Sequence, residues 1–322
     1  MQDPHLRSVE LADRFFAQAI AEKCFGIQAS ASELPSERDR NFLLTAHDGN
    51  KFVLKIANAL ERREVLEAQN AMLSHLETRV SFCPRVVPAI SGEQIENATL
   101  PDGSTHLVRL VRYLPGVPLA TIEVHSPELL YDLGRKLGQL DRALVGFDHP
   151  GAHRDFHWDL AKGVQILEQF GPRINTDWLR EMVLSFREDL CLSVALRQSV
   201  IHGDANDYNV LVDSANETVI GLIDFGDVVH SYTVGDLAIA IAYVVLGKAD
   251  PFAAAVPVIE GYQEEFPLTQ DELDALWPLV RLRLCMSVCL AAHQQQQHPE
   301  NEYLGVSQAL IAETLPRVMA TD

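Results

Sequence analysis

The chain has few cysteines, and none of them occurs at a spacing that would give it a chemical role. Five cysteines are spread over 322 residues, and no two form a Cys-x-x-Cys pair or another zinc-binding spacing. Cys285 and Cys289 fit one face of a helix, where we expect buried thiols. Because the N-terminus is polar and amphipathic, with no apolar targeting segment, the sequence predicts a reducing, cytoplasmic environment.

Positive charge and long apolar runs are also scarce. There are 26 Lys and Arg against 45 Asp and Glu, which gives a formal net charge of −19. Binding to nucleic acid needs a basic surface, so we expect no nucleic-acid partner. No window approaches about 18 uninterrupted apolar residues, so no membrane span is expected. The acidic surplus would suit a cationic small molecule, although solubility alone also accounts for it.

Neither common glycine-rich phosphate-binding motif is present. The chain contains no Gly-x-Gly-x-x-Gly, and the lack of Gly-x-x-x-x-Gly-Lys-Ser/Thr disfavours a P-loop fold. If the polar segment 34–41 covers a nucleotide, then Ser36, Arg38 and backbone N–H groups must replace the glycines. An ordinary polar turn is the alternative interpretation of this segment.

The most informative stretch that is present runs from residue 200 to 243. Asp204, Asn209 and Asp224 occur there in the order and spacing typical of phosphoryl transfer, the last of them in Asp-Phe-Gly. Asp204 is predicted to align an acceptor hydroxyl and to take its proton as the catalytic base. Asn209 and Asp224 offer the hard oxygen ligands that Mg²⁺ prefers, next to the phosphates of ATP or GTP.

Two other residues of this stretch are expected to support the loop. His202 is grouped with the catalytic residues, and fixing the loop through hydrogen bonds is favoured for it over acid–base chemistry. Asp236, in Val-Gly-Asp-Leu-Ala, fits the start of a helix that braces the catalytic loop.

A second group of candidates lies nearer the N-terminus. Lys55, in Phe-Val-Leu-Lys-Ile, is similar to the phosphate-anchoring lysine of kinases, which a helix carboxylate holds in place. Glu67 is the expected partner, and Glu64 stays open because residues three apart share a helix face. Backbone groups from Val111 to Tyr113 are expected to hydrogen-bond the purine.

The order of predicted elements divides the chain in two. Residues 1–110 combine a helix over about 7–25, a hairpin at 41–56, a helix over about 60–76 and strands at 85–90 and 105–113, which suits a nucleotide-binding lobe. We expect residues 111–118 to form a linker and 119–322 a catalytic and acceptor-binding lobe. The expected fold class is α+β: a protein-kinase-like bilobal fold with a small β-rich N-lobe, a larger, mainly helical C-lobe and a nucleotide cleft between them.

These motifs resemble the aminoglycoside phosphotransferase / choline kinase superfamily, whose catalytic loop and metal motif match His202, Asp204, Asn209 and Asp224. The stretches LPSERDRNF, HRDFHWDL and RLRLCMSVCLAAHQQQQHPENEYL are most similar to hydroxylysine kinases and their bacterial relatives. The resemblance implies Mg²⁺-dependent transfer of the γ-phosphate of ATP or GTP to a hydroxyl of a small amino-bearing molecule. A hydroxylysine-like amino acid is the favoured acceptor.

Several alternatives stay open. The acceptor could instead be homoserine, choline, ethanolamine or an aminoglycoside. In a different class of function, the chain would be a nucleotide-binding pseudokinase. Some bacterial relatives are fused to aminotransferase domains, which makes an aminotransferase a candidate partner.

The acceptor is expected to bind in the helical lobe. Trp158 and Asp159 offer an aromatic wall and an acidic group for an amine, while Arg281 and Arg283 offer a site for a carboxylate. The alternatives are core packing for Trp158, a helix cap for Asp159 and plain surface charge for the two arginines.

Overall fold

The computed structural model describes residues 13–36, 38–100, 102–191, 196–213, 215, 217–297 and 308–320. The described chain forms two compact units. One unit contains the residues up to Pro115 together with His149–Gly151, and the other contains Gly116–Asp148 and the residues from Ala152 onward. The change of unit at Pro115 falls within the segment that the sequence indicates as a linker.

The first unit is built on an antiparallel sheet. Its strands are β1 (Ala29–Leu34), β2 (Arg40–Ala46), β3 (Lys51–Ile56), β4 (Val86–Val87), β5 (Glu96–Thr99) and β6 (Thr105–Arg112). They are ordered β1-β2-β3-β6-β4, and β5 pairs with β6 outside that path. The β2–β3 hairpin was expected, because Asp-Gly at its turn is a strong hairpin signal; Asp48 Oδ1 accepts the N–H of Asn50 there at 3.0 Å.

The strand expected over residues 85–90 is much shorter in the structure. Only Val86 and Val87 pair with β6. Pro88 directly follows this pair and lacks the N–H group that would continue the ladder, while on the other side the carbonyl of Arg85 still accepts the N–H of Arg112 at 2.8 Å.

Two helices accompany this sheet. α1 (Arg14–Phe25) buries Ile20 and Phe25 in one cluster with alternate strand residues such as Phe42 and Leu54. The expected helix start at about residue 7, with Val9 and Leu11, lies outside the described residues. α2 (Arg63–Leu76) contacts the opposite face of the sheet through Arg109 of β6, as described below.

The second unit is mainly helical. Its helices are α3 (Pro127–Leu144), α4 (Gly163–Phe170), α5 (Asp177–Asp189), α6 (Gly235–Val244), α7 (Pro251–Glu265), α8 (Gln270–Gln297) and α9 (Gln308–Met319). Five short strands complete it: β7 (Val117–Pro118), β8 (Gln198–Ile201), β9 (Val210–Val212), β10 (Val219–Leu222) and β11 (Val229–Tyr232). β10, β9 and β7 form one sheet, and β11 pairs with β8.

α3 and α7 approach each other unusually closely because glycines line their contact. A Cβ on Gly134 would lie 1.9 Å from the carbonyl oxygen of Val258, and one on Gly261 would lie 2.0 Å from that of Tyr131. Any larger residue would force the backbones apart. This contact brings polar side chains of the two helices together behind the candidate site.

α8 is the core helix of the second unit. It is long and apolar enough to cross a membrane, although polar residues interrupt its apolar run. However, 78% of its most apolar window is buried inside the structure. Cys285 and Cys289 are both buried in it, as expected. Arg283 is buried there too, with 2% of its surface exposed.

Candidate active site

The candidate catalytic loop joins two buried strands of the second unit. β8 ends at Ile201 and β9 begins at Val210. Residues 202–209 are mostly polar turn-forming types, so the chain leaves the sheet between the two strands. Gly203 has a φ of 80°, and a Cβ there would lie 2.5 Å from the carbonyl oxygen of Asp227. Glycine is therefore what allows this loop to pass so close to the next one.

The buried carboxylate of Asp236 fixes the start of the loop. It lies in the first turn of α6 and accepts the backbone N–H groups of His202 and Gly203 at 2.9 and 2.8 Å. These hydrogen bonds give Asp236 the bracing position that the sequence indicates.

A second carboxyl group supports Asp236 from behind. Asp141 of α3 lies within hydrogen-bonding reach of Asp236 and accepts the hydroxyl proton of Tyr262 of α7 at 2.5 Å. Burial and the charge of Asp236 raise the pKa of Asp141 well above its ordinary value. Asp236 already accepts two backbone N–H groups, which favours a proton on Asp141 over one on Asp236.

His202 bridges the catalytic loop and the segment before Asp224. Its Nδ1 accepts the N–H of Asp204 at 3.2 Å, so Nε2 carries the proton and donates to the carbonyl of Ile223 at 3.0 Å. The ring also contacts the ring of Phe225 edge-on. Burial lowers the pKa of His202 and keeps the ring neutral. This geometry favours the loop-fixing role over acid–base chemistry.

Three side chains hold the carboxylate of Asp204. Oδ1 accepts from Arg283 Nη2 at 2.8 Å, and Oδ2 accepts from Asn206 at 2.9 Å and from Asn209 at 2.8 Å. The Asp204 side chain nevertheless stays 20% exposed. It is thus fixed in orientation and still accessible to a small molecule.

The electrostatic setting of Asp204 suits a proton acceptor. Burial, followed by the charge of nearby Asp227, raises the pKa of Asp204 to about 7, although Arg283 opposes the shift. A general base works best when its pKa lies near the working pH. Asp227 was not among the predicted residues; its position three residues after Asp224 is the only sequence signal for it.

Asn209 ends the catalytic loop and Asp224 lies two residues after β10, and their role as cation ligands stays a prediction. The Asn209 amide nitrogen donates to the carbonyl and carboxylate of Asp204, which leaves its Oδ1 for another ligand. Asp224 is exposed and has a φ of 60°, the one positive φ of a non-glycine residue in the described ranges. Such a conformation costs on the order of 1 kcal/mol or more and is concentrated at functional sites. Amide and carboxylate oxygens suit Mg²⁺.

Asp207 is a functional candidate that the sequence reasoning missed. Its Oδ1 is buried and receives no hydrogen bond from the described residues. Burial raises the pKa of Asp207 to about 6. The pKa of Tyr243 is raised mainly by burial, and the charges of Asp204 and Asp207 both add to the shift. A desolvated carboxylate lacking a donor indicates a binding position for a cation.

Lys55 of β3 belongs to the first unit and faces the α2 side of the sheet. It lies directly opposite Arg109 of β6, whose guanidinium donates to the amides of Gln69 and Asn70 on α2. Residues opposite each other on neighbouring strands project to the same face, so Lys55 points toward α2 as well. The sequence reasoning did not find this link between Arg109 and α2.

The other nucleotide-site candidates lie in the same unit. Glu67 and Glu64 are both exposed on α2, and Glu64 is 3.9 Å from Arg62. Ser36 accepts the N–H of Asp39 at 3.3 Å in the β1–β2 loop, as a polar turn does. Val111 of β6 pairs with Val53 of β3 and Val86 of β4, and the N–H of Tyr113 donates to the carbonyl of Lys51.

All four acceptor candidates make internal contacts. Asp159 is buried, accepts from Ser231 and caps a short helical turn by accepting the N–H of Ala161. Arg281 donates to the carbonyl of Val318 of α9 at 3.0 Å. Arg283 pairs with Asp204, and its guanidinium lies 4.5 Å from the ring centre of the fourth candidate, Trp158. No contact tests acceptor binding by these residues, which stays a prediction.

The fold and the catalytic loop together define a class. An antiparallel N-terminal sheet, a helical C-terminal unit and a loop carrying Asp204 and Asn209 ahead of Asp224 are the features of protein-kinase-like phosphotransferases. Residues 30–278 match the phosphotransferase enzyme family APH. The chain belongs to this family and is a small-molecule kinase.

Known proteins support this assignment. The chain is 33% identical over 316 residues to hydroxylysine kinase of Bos taurus, covering 89% of this chain and 83% of the bovine protein. Its fold is similar to amicoumacin kinase hAmiN, solved with AMP-PNP and Ca²⁺, with a TM-score of 0.73, 15% identity and coverage of 96% and 94%. A microcompartment-associated aminopropanol kinase gives a TM-score of 0.69, 17% identity and 95% coverage of each chain. The expected α+β fold and family are confirmed.

Proposed function

We propose that this kinase transfers the γ-phosphate of ATP or GTP to a hydroxyl of a small amino-bearing molecule, with a hydroxylysine-like amino acid as the favoured acceptor. The observation that carries the proposal is the setting of Asp204. Three donors fix its carboxylate, its side chain stays accessible, and its pKa is raised to about 7. A carboxylate in that setting suits the alignment and deprotonation of a hydroxyl group.

In the proposed reaction Asp204 accepts a hydrogen bond from the acceptor hydroxyl and takes its proton. The hydroxyl oxygen forms a bond to the γ-phosphorus, and the bond from that phosphorus to the bridging oxygen breaks. The nucleoside diphosphate leaves with the bonding electrons. The chain's contribution is mainly orientation, since Asp236 and His202 hold the loop that carries Asp204.

Asn209 and Asp224 would hold Mg²⁺ in this proposal. The amide nitrogen of Asn209 donates to Asp204, so its Oδ1 could bind a hard cation. The exposed carboxylate of Asp224 suits the same cation. Bound Mg²⁺ would neutralise charge on the nucleotide phosphates. The nucleotide and Ca²⁺ present in the amicoumacin kinase structure support a metal–nucleotide donor in this fold.

The first unit would supply the nucleotide contacts. Lys55 would anchor the phosphates and Glu67 would hold Lys55, with Glu64 as the alternative partner. Ser36 would face the phosphates from the β1–β2 loop, and the backbone from Val111 to Tyr113 would hydrogen-bond the purine. The orientation of Lys55 toward α2 supports the Lys55–Glu67 assignment.

Asp207 supports an acceptor that carries an amine. Its buried Oδ1 lacks a donor among the described residues, and an ammonium group would supply one. The bovine relative is named for hydroxylysine and the structural relative for aminopropanol, both of which carry a hydroxyl and an amine. Trp158, Asp159 and Arg281 remain candidate acceptor residues.

An acceptor panel tests the proposal. The purified protein is incubated with Mg²⁺, with ATP and GTP in turn, and with 5-hydroxylysine, homoserine, choline, ethanolamine or an aminoglycoside. Nucleoside diphosphate release and the mass of the phosphorylated product are measured. We expect at least one hydroxylated amine, 5-hydroxylysine first, to stimulate release and gain one phosphoryl group. Tight nucleotide binding without turnover of any acceptor would instead support the pseudokinase alternative.

Asp224→Asn provides a second test, which addresses the metal. It should abolish Mg²⁺-dependent nucleotide binding while acceptor binding changes little. Asp213→Asn is a suitable control, because Asp213 is an exposed side chain that accepts N–H groups of Glu217 and Thr218 in another loop. Unchanged Mg²⁺ dependence in Asp224→Asn would contradict the assignment.

A further inference from the structure

Arg283 occupies an unusual place for an arginine. It lies in the middle of the core helix α8, is 2% exposed and donates from Nη2 to Asp204 Oδ1 at 2.8 Å. Its guanidinium lies between two aromatic rings, 4.5 Å from the centre of Trp158 and 5.7 Å from that of Tyr243. Burying a cation is unfavourable unless it is paired, so this arrangement depends on the charge of Asp204.

Several contacts prevent the guanidinium from moving away. Nη1 donates to the carbonyl of Trp158 at 3.4 Å, and the hydroxyl of Tyr243 lies beside the guanidinium. The planar group is thus fixed by the two rings and by directional hydrogen bonds. A group held this firmly can hold its partner in turn.

The hydrogen bonds of Asp204 show what Arg283 achieves. A carboxylate offers about four lone-pair positions. Asn206 and Asn209 occupy two of them on Oδ2, and Arg283 occupies one on Oδ1. The remaining position is on Oδ1, the oxygen that Arg283 holds. An acceptor hydroxyl would therefore bind to the oxygen whose direction Arg283 sets.

We infer that Arg283 is a positioning residue for the catalytic base, and not a ligand for the acceptor carboxylate as the sequence suggested. It turns Oδ1 of Asp204 toward the acceptor hydroxyl and keeps it there. This inference rests on the proposed function, since it assigns Asp204 the part of the base. It adds that α8, far along the sequence from the catalytic loop, determines where the reaction takes place.

The two roles for Arg283 predict different kinetics. A positioning residue contributes to the chemical step, so Arg283→Met should lower kcat on the order of 100-fold, with little change in the KM values of nucleotide and acceptor. Loss of an acceptor ligand would instead raise the KM of the acceptor. Arg283→Lys keeps the charge without the planar fork and should recover only part of kcat.

Chemical rescue separates positioning from a general structural role. In Arg283→Ala, guanidinium ion in the assay should restore part of kcat, and sodium chloride at equal ionic strength should not. Arg197→Met is the matched control: Arg197 forms an ion pair with the buried carboxylate of Glu272 and is not among the three side chains that hold Asp204. It should lower the melting temperature and keep kcat, without a response to guanidinium.

A milder variant covers the case in which the Arg283 variants do not fold. Tyr243→Phe removes a hydroxyl beside the guanidinium and leaves the charge in place. It should lower kcat several-fold at unchanged KM. An acceptor KM that rises while kcat is kept, in any of these variants, would overturn the inference.

The experiment also separates failure of this inference from failure of the proposed function. If the wild type turns over no acceptor, the proposed function fails. The free energies of unfolding of Arg283→Met, Asp204→Asn and the double variant then test whether Arg283 holds Asp204. Positioning predicts that the two losses in stability are strongly non-additive. Additive losses would show that Arg283 does not hold Asp204.

Discussion

The carboxylate of Asp236 accepts the backbone N–H of Gly203 at 2.8 Å, so a residue at the start of α6 fixes the turn that presents the candidate base. Behind Asp236 lies Asp141, whose pKa is raised by burial and by the charge of Asp236 and whose carboxyl group accepts from Tyr262. The closely packed α3–α7 pair is thereby connected to the catalytic loop through buried hydrogen bonds. Such a connection makes the loop position depend on the protonation of Asp141.

Asp141→Asn should reduce the pH dependence of stability. Because the pKa of Asp141 is raised, the native state keeps a proton that the unfolded chain releases above its ordinary value of 3.8. The stabilisation is therefore complete below that value and is lost as the pH rises toward the native pKa, by up to about 1.4 kcal/mol per pH unit. Asparagine can donate to Asp236 and accept from Tyr262 at every pH. Urea unfolding between about pH 5 and pH 8 should show a smaller decline for the variant than for the wild type; parallel declines would show that Asp141 is ionised.

Gly203→Ala should damage the catalytic loop far more than an equivalent change elsewhere. Its φ of 80° disfavours alanine, and the added Cβ would meet the carbonyl oxygen of Asp227 at 2.5 Å. Gly49, in the β2–β3 turn, has a φ of 85° with no atom within 4 Å of an added Cβ, so Gly49→Ala isolates the conformational cost. We expect a loss of about 1 kcal/mol for Gly49→Ala and a clearly larger one for Gly203→Ala, with turnover lost only in the latter. Thermal unfolding and nucleotide release measure both, and equal effects would contradict the close approach.

Lys55→Met should weaken nucleotide binding and leave acceptor binding unaffected. Loss of a charged hydrogen bond to phosphate is worth about 1.5–3 kcal/mol, so the nucleotide KM should rise on the order of 10–100-fold. Lys23→Met, on α1, is the control. Glu67→Gln and Glu64→Gln then identify the partner of Lys55, since only the true partner should reproduce the effect. If neither does, the pairing with α2 is wrong.

Asp207→Asn should weaken acceptor binding. If its carboxylate binds the ammonium group, the acceptor KM rises on the order of 10–100-fold, while the nucleotide KM is kept. Asp213→Asn, in the next loop, should change neither constant. An acceptor analogue without the amine offers a further check, because its KM should be nearly the same for the wild type and for Asp207→Asn. An unchanged acceptor KM would remove Asp207 from the site.

The parts of the fold that sequence indicates well are those encoded locally. The Asp-Gly turn with its two alternating strands gave the β2–β3 hairpin at nearly its observed bounds. By contrast, β1 and β5 were not predicted, because Ala-Ser-Ala-Ser-Glu-Leu and Glu-Asn-Ala-Thr carry few of the β-branched and aromatic residues that mark strands. These strands are held by their neighbours in the sheet, which local sequence does not show.

The candidate site divides in the same way. Asp204, Asn209 and Asp224 are recognisable because their spacing is fixed by one loop and the strand pair after it. Arg283 and Asp141 reach that loop from distant helices, and a buried charged residue looks like a surface residue until its neighbours are known. The sequence thus indicated the reacting groups, while the residues that orient them became visible only through packing.

The central claim is that Asp204 acts as the base, and the acceptor-dependent turnover of Asp204→Asn tests it most directly. Asparagine keeps the size of the side chain and loses its ability to take a proton. We expect kcat to fall about 10²–10⁴-fold, with Mg²⁺–nucleotide binding close to that of the wild type. Turnover by Asp204→Asn at the wild-type rate, with the same acceptor and nucleotide, would contradict the account.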